Sequence, residues 1–170
     1  GVSAHAMVTV LGPARPIRTG RDNQSTHVWR GMNGERSRRE EEVGGKTMLI
    51  GGRGSSGARL AKLAKAFDMN VIATKRDTNV PGSAADEIHT PDAVPELLPR
   101  ADFVVLTCPL TPETADMMNE KTFGLMKPSS FFVNVARGGC VDEPAMMAAL
   151  QDGGIAGAAI DHFKAEPLPQ

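Results

Sequence analysis

Short apolar runs recur from position 45 onward, at 47–50, 71–74, 103–107, 131–135 and 156–160. Each is apolar throughout and does not alternate with polar residues, the pattern of a strand covered on both faces of its sheet. Between them, apolar residues at helical spacing predict helices over 58–67, 91–98, 119–126 and 143–151. Strands that alternate with helices imply right-handed crossovers and a parallel sheet. The pattern predicts one doubly wound α/β domain.

Residues 1–44 differ in character. An apolar run from Ala4 to Leu11 is broken at Gly12-Pro13 and again at Pro16, where proline cannot continue a helix. A polar segment follows and ends in the charge run from Glu35 to Glu42. That run reads as a solvated face with local ion pairs, because a basic nucleic-acid patch does not carry its own acidic neutralisers. The expected division is therefore 1–44 as a helical or linker segment and 45–170 as the regular domain.

The chain has 170 residues, 41% hydrophobic and 23% charged, the balance of an ordinary globular domain. A formal net charge of -1 gives no field that would draw in nucleic acid or an anionic membrane. No apolar run approaches the roughly 18 to 20 residues that span a bilayer, and the N-terminus lacks the pattern of a secretory signal. Cys108 and Cys140, far apart and outside any CxxC spacing, read as reduced core thiols of a cytoplasmic protein. His5, His27, His89 and His162 show no metal-ligand spacing, and no metal is expected.

After the first apolar run comes Gly52-Arg53-Gly54-Ser55-Ser56-Gly57, a GxGxxG. It follows a predicted strand and opens a predicted helix, the context that turns a common glycine pattern into a dinucleotide fingerprint. Gly52 would permit the tight turn and Gly54 the approach of backbone to a pyrophosphate. Gly57 would let the helix pack against the strand. The amides of Ser55, Ser56 and Gly57 would point at the phosphates. The bland alternative is a tight turn without a ligand. With it, the fold expectation sharpens to a Rossmann-like sheet in a single domain.

About 20 residues on, where such a domain places an acidic residue on the adenosine ribose, the sequence has Thr74-Lys75-Arg76. Cationic donors suit a 2'-phosphate, whereas a carboxylate would suit the free hydroxyl. The turn favours NADP, with NAD retained should Lys75 and Arg76 be solvated and Asp77 or a hydroxyl serve the ribose.

Three segments resemble the D-isomer-specific 2-hydroxyacid dehydrogenases. Thr107-Cys108-Pro109-Leu110-Thr111-Pro112-Glu113-Thr114 is similar to their PLTPET segment. The run from Val133 to Glu143 resembles VNxARGGxVDE, and Asp161-His162-Phe163-Lys164-Ala165-Glu166-Pro167 resembles DVFxxEP. Val2-Ser3-Ala4-His5 is similar to the VAEH that opens the family's cofactor domain. The resemblance implies hydride transfer between a nicotinamide cofactor and a small 2-oxo or 2-hydroxy acid. It implies cofactor contacts at Cys108, Pro109, Thr114, Ala136 and Asp161. Arg137 would grip the substrate carboxylate and carbonyl, and Glu166 would orient a catalytic histidine. A homodimer is implied in the same way.

The departures are specific. The family's catalytic histidine lies downstream of the glutamate, and the sequence reaches Gln170 before it. The family's substrate domain draws on an N-terminal segment, which is expected to be missing here. His162 stands where the family has an apolar residue. Gly51, Arg53 and Ser56 also stand at apolar positions of the family, so lost packing is expected at Gly51 and Ser56. The rival expectation is a dinucleotide-binding module without catalysis, or a gene fragment.

Overall fold

The computed structural model describes residues 1–14, 17–29, 42–79 and 81–168. Two helices lead, α1 (Val2–Ala14) and α2 (Ile17–Ser25). β1 (Thr47–Gly51), α3 (Ser55–Ala66), β2 (Asn70–Thr74) and β3 (Glu87–His89) follow. The second half runs α4 (Val94–Leu97), β4 (Phe103–Leu106), α5 (Glu120–Phe123), β5 (Phe131–Asn134), α6 (Glu143–Gln151) and β6 (Gly157–Ile160). The six strands lie in the order β3-β2-β1-β4-β5-β6 and every pairing is parallel. The order reverses between β1 and β4, and that crevice is where a doubly wound sheet places its ligand.

Alternation along each strand divides the core into two layers. Met48, Ile50, Val71, Ala73, Phe103, Val105 and Val133 share one layer with Ala6 and Val10 of α1 and Leu60, Ala61 and Ala64 of α3. Leu49, Ile72, Val104 and Phe132 face the other layer, with Leu97, Phe123 and Met146 from α4, α5 and α6. The unbroken apolar runs of the sequence are the sum of these two alternating sets. Phe123 meets Phe132 edge-on, 5.3 Å between ring centroids, and truncating either buried ring would cost about 3–5 kcal/mol.

The sheet is closed off at the two edges differently. β3 is only three residues long, with no apolar run to announce it. It is held by Glu87, whose carboxylate accepts from Arg100 and His89. β6 is half-buried throughout, as an edge strand should be, whereas its apolar pattern suggested cover on both faces.

Several boundaries differ from expectation. α1 continues through Gly12-Pro13 to Ala14: proline in the last turn forfeits a single amide, a small loss beside the burial of Ala6, Met7 and Val10. α2 forms from a polar stretch that periodicity does not single out. The 119–126 helix is reduced to α5, with Asn119 capping it by accepting from the Thr122 amide. At 91–98 a 3-10 turn over Pro91–Ala93 precedes α4. Gly51 carries no packing loss, since a Cβ there would come within 2.6 Å of Leu106 Cδ2; the leucine already fills that space. Pro16, most of the charge run (35–41) and Gln170 lie outside the described residues.

Candidate functional site

The glycine turn gives its three glycines three different surroundings. Gly52 has φ +97° and a Cβ on it would strike the Cβ of Cys108 at 2.6 Å, so only glycine fits. At Gly57 a Cβ would run into the Gly52 carbonyl and the Thr107 hydroxyl, which fixes how closely α3 meets β1. Gly54 is the opposite case. Its φ of -81° suits any residue and a Cβ there would meet nothing within 4 Å. The fold does not require glycine at 54, and its openness leaves room for a ligand to approach the backbone.

Gly54 is also the N-cap of α3, and it offers no side-chain cap to the first turn. Ser55 is exposed and Ser56 half-buried, and the Ser56 carbonyl accepts from Ser3 Oγ at 2.9 Å, which ties α1 to the start of α3. The uncapped amides of a three-turn helix beside an open glycine suit a pyrophosphate. A dinucleotide fits these residues.

The floor of the turn is built by neighbouring strand ends. Thr107 Oγ1 donates to the Gly52 carbonyl at 2.5 Å, a contact for which the sequence carries no signal beyond the end of an apolar run. Thr74 is buried; its hydroxyl accepts from the Gly52 amide at 3.1 Å and its carbonyl from the Arg53 amide at 2.7 Å. The Thr74 side chain is thus committed to shaping the turn. Lys75 is half-buried and Arg76 exposed, directly after the carboxyl end of β2.

Beyond β4, Cys108 is buried, and burial together with neighbouring Cys140 pushes its thiol up to about 12. Its raised pKa keeps the thiol neutral against the turn. Pro109 is exposed, and its carbonyl accepts from Thr114 Oγ1 at 2.7 Å. The same hydroxyl accepts from the Thr111 amide at 2.8 Å, so Thr114 shapes this loop. Glu113 is held below the usual carboxylate range, first by a hydrogen bond from Thr111, then by its own amide, and also by Arg76.

After β5, buried Asn134 uses both ends of its amide. Oδ1 accepts from the Ala136 amide at 3.0 Å and Nδ2 donates to the Arg137 carbonyl at 3.0 Å. This fixes Arg137 as an exposed residue in extended conformation; its guanidinium donates to the Ala136 carbonyl at 2.7 Å. Gly138 then lies directly on the backbone of Phe163 and Lys164. That contact joins the arginine loop to the loop after β6.

In that last loop Glu166 Oε1 accepts from the Phe163 amide at 2.9 Å and lies 3.5 Å from His162 Nδ1. Asp161 lies 3.7 Å from the other nitrogen of His162 and 3.4 Å from His5 Nε2 of α1. His162 therefore sits between the two carboxylates of its segment, and His5 joins them from the far end of the chain. Two cross-links that the sequence reading missed hold the loop down. Lys164 Nζ donates to Asp116 at 2.7 Å, which raises the lysine's pKa, and the Lys164 amide donates to Glu143 at 2.7 Å. Among the described residues no group of His, Cys, Asp and Glu is placed to hold a metal ion, and no helix is long and apolar enough to cross a membrane.

All the strand-end segments named above gather at the carboxyl edge of the sheet, around the β1/β4 reversal. Comparison with known proteins identifies the family and the fold. The family model "D-isomer specific 2-hydroxyacid dehydrogenase, NAD binding domain" matches residues 7–170. A D-3-phosphoglycerate dehydrogenase of Methanocaldococcus jannaschii is 41% identical over 128 residues, covering 74% of this chain and 24% of that protein. A glyoxylate reductase of Thermococcus onnurineus is 43% identical over 128 residues, covering 74% and 37%. The chain thus spans about a quarter to two-fifths of the length of these relatives. A crystal structure of a D-isomer specific 2-hydroxyacid dehydrogenase from Xanthobacter autotrophicus Py2, in complex with NADPH and MES, superposes with a TM-score of 0.82. It is 31% identical and is matched over 99% of this chain and 51% of that one.

Proposed function

Since this chain belongs to the D-isomer specific 2-hydroxyacid dehydrogenase family, we propose that it binds a nicotinamide dinucleotide at the carboxyl edge of its sheet, for hydride transfer to or from a small 2-oxo or 2-hydroxy acid. The observation that carries this reading is the turn at Gly54: open to 4 Å, unstrained, and capping a helix that has no cap of its own. The bound cofactor would supply the hydride. The chain's own residues supply position and charge. The amides of Ser55, Ser56 and Gly57 hold the pyrophosphate. Cys108, Pro109 and Ala136 line the approach with uncharged surface, and Thr114 keeps the loop beneath it closed. Asp161 sits at the carboxyl edge, where the nicotinamide would lie.

Arg137 presents a permanent, planar cation, which can hold a carboxylate in two hydrogen bonds and draw charge from an adjacent carbonyl. It cannot give up a proton, because its pKa lies above about 12. Glu166 acts through an imidazole, keeping it protonated and oriented.

NADP is the preferred form in this reading. Lys75 and Arg76 stand where an acidic ribose ligand would exclude a 2'-phosphate, and the X. autotrophicus relative binds NADPH. A homodimer through the cofactor domain and a cytoplasmic site of action belong to the same reading, supported by the exposed Val2 and Val8 of α1 and by two free, buried thiols.

The test is calorimetric titration of the chain with NADPH and NADH. Saturable binding, tighter for NADPH, is expected, with the preference erased when Lys75 and Arg76 are both changed to Ala. No binding of either dinucleotide would dismiss the proposal. Steady-state assays of the full-length protein with glyoxylate, pyruvate and hydroxypyruvate then test the reaction.

A further inference from the structure

Arg53 occupies the variable position between the first two glycines of the turn. Its side chain is half-buried, and its Nε is sealed from solvent without a hydrogen-bond partner among the described residues. A guanidinium has only donors, and a buried donor left unpaired is costly. A solvated surface arginine would keep that nitrogen in water, and a structural arginine would give it a carbonyl or carboxylate. Arg53 Nε has neither among the described residues, a costly position that the side chain would leave by turning to an acceptor brought by a ligand.

Its place in the turn narrows the choice. The Arg53 amide donates to the Thr74 carbonyl at 2.7 Å, so the residue lies against the last residue of β2. Lys75 and Arg76 follow immediately. The pyrophosphate end of the turn is served separately, by open Gly54 and the uncapped amides of α3. Arg76 has an acidic neighbour within electrostatic reach, Glu113, which partly offsets its charge.

We propose that Arg53 reads the 2'-phosphate of the adenosine ribose, donating to it from the glycine turn while Lys75 and Arg76 face it from the end of β2. The inference rests on the dinucleotide reading above and deepens it. It makes discrimination between NADP and NAD depend on a residue inside the glycine fingerprint, in addition to the β2 turn where it is expected. A phosphate monoester matches the guanidinium fork with two oxygens and removes the standing cost of the unpaired nitrogen.

The experiment measures dissociation constants by calorimetry for NADPH, NADH, adenosine 2',5'-bisphosphate and ADP, on the unmodified chain, Arg53→Met and Arg53→Lys. Arg53→Met should weaken NADPH and the bisphosphate by about tenfold or more, the worth of a charge-assisted hydrogen bond, and leave NADH and ADP unchanged. Arg53→Lys should lose less. Without ligand, Arg53→Met should melt no lower than the unmodified chain, since it removes an unpaired donor, and this separates a binding effect from misfolding. Equal weakening of all four ligands would assign Arg53 to the pyrophosphate or to folding and overturn the proposal. An unmodified chain that prefers NADPH, with a variant that keeps the full preference, would overturn it while leaving the dinucleotide reading intact. An unmodified chain that binds none of the four would defeat that reading itself.

Discussion

Thr74 lies beneath Gly52 and accepts the glycine's amide hydrogen in its side-chain hydroxyl at 3.1 Å. The interaction spans 22 residues and ties the end of β2 to the first residue of the turn. Thr74→Val keeps the shape and removes the acceptor, leaving the Gly52 amide unpaired. The expected loss is about 1–3 kcal/mol, read as a lower urea midpoint with an unchanged slope. Dinucleotide affinity should fall as well, because the turn is less firmly shaped.

Gly54 and Gly57 should separate folding from binding within six residues. A Cβ at 54 meets no atom within 4 Å, so the circular dichroism and melting temperature of Gly54→Val should match the parent while nucleotide binding disappears. Gly57→Val drives a side chain into the Gly52 carbonyl and should destabilise by about 1–3 kcal/mol or more. A Gly54→Val protein that still binds NADPH would reduce the turn to a structural feature.

Gly138→Ala tests the seam between the two loops that carry Arg137 and Glu166. The added Cβ would overlap the Phe163–Lys164 backbone, and backbone cannot swing aside as a side-chain tip can. Faster hydrogen exchange over 161–168 is expected, with binding of ADP unchanged because the glycine turn is elsewhere. Unaltered exchange in that segment would show that the seam does not hold the loop.

Acid should loosen the β3 edge in a defined window. Glu87 is held down to about 2, from an ordinary 4.5, first by hydrogen bonds from Arg100 and then from His89. A carboxylate whose pKa is lowered on folding stabilises the fold above its unfolded pKa. That contribution fades as pH falls from about 4.5 towards 2. The pair is well exposed, so solvent screening keeps the effect below about 1 kcal/mol. Glu87→Gln should therefore flatten part of the decline in melting temperature across that range and change little at pH 7.

The sheet was legible because its strands are buried on both faces. Five of the six strands announced themselves as apolar runs, and the glycine fingerprint pointed to the end that carries the candidate site. β3 escaped because an edge strand of Glu-Ile-His has no apolar run to show. Candidate site residues could be named from the sequence where a residue would act through its backbone, as in 52–57, or where a family signature points to it, as with Arg137 and Glu166. Thr107, His5, Asp116 and Lys164 were not, because each works through a partner far away in sequence: Gly52, Asp161 and, for the last two, one another. Thr74 was expected at the cofactor, and its side chain faces the Gly52 amide, a direction that spacing alone does not give.

Gly51 and Leu106 share one volume across the β1–β4 pairing: the leucine occupies what a side chain at 51 would fill. The two positions can trade bulk only in one comfortable order. Growing Gly51 first passes through a clash of about 1–3 kcal/mol. Trimming Leu106 to a smaller side chain first passes through a cavity, which at Val costs about 0.5–1.5 kcal/mol. Lineages that carry a larger residue at 51 are thus expected to have reached it by way of a shortened 106, and a chain holding Gly51 with Leu106 sits at one end of that path.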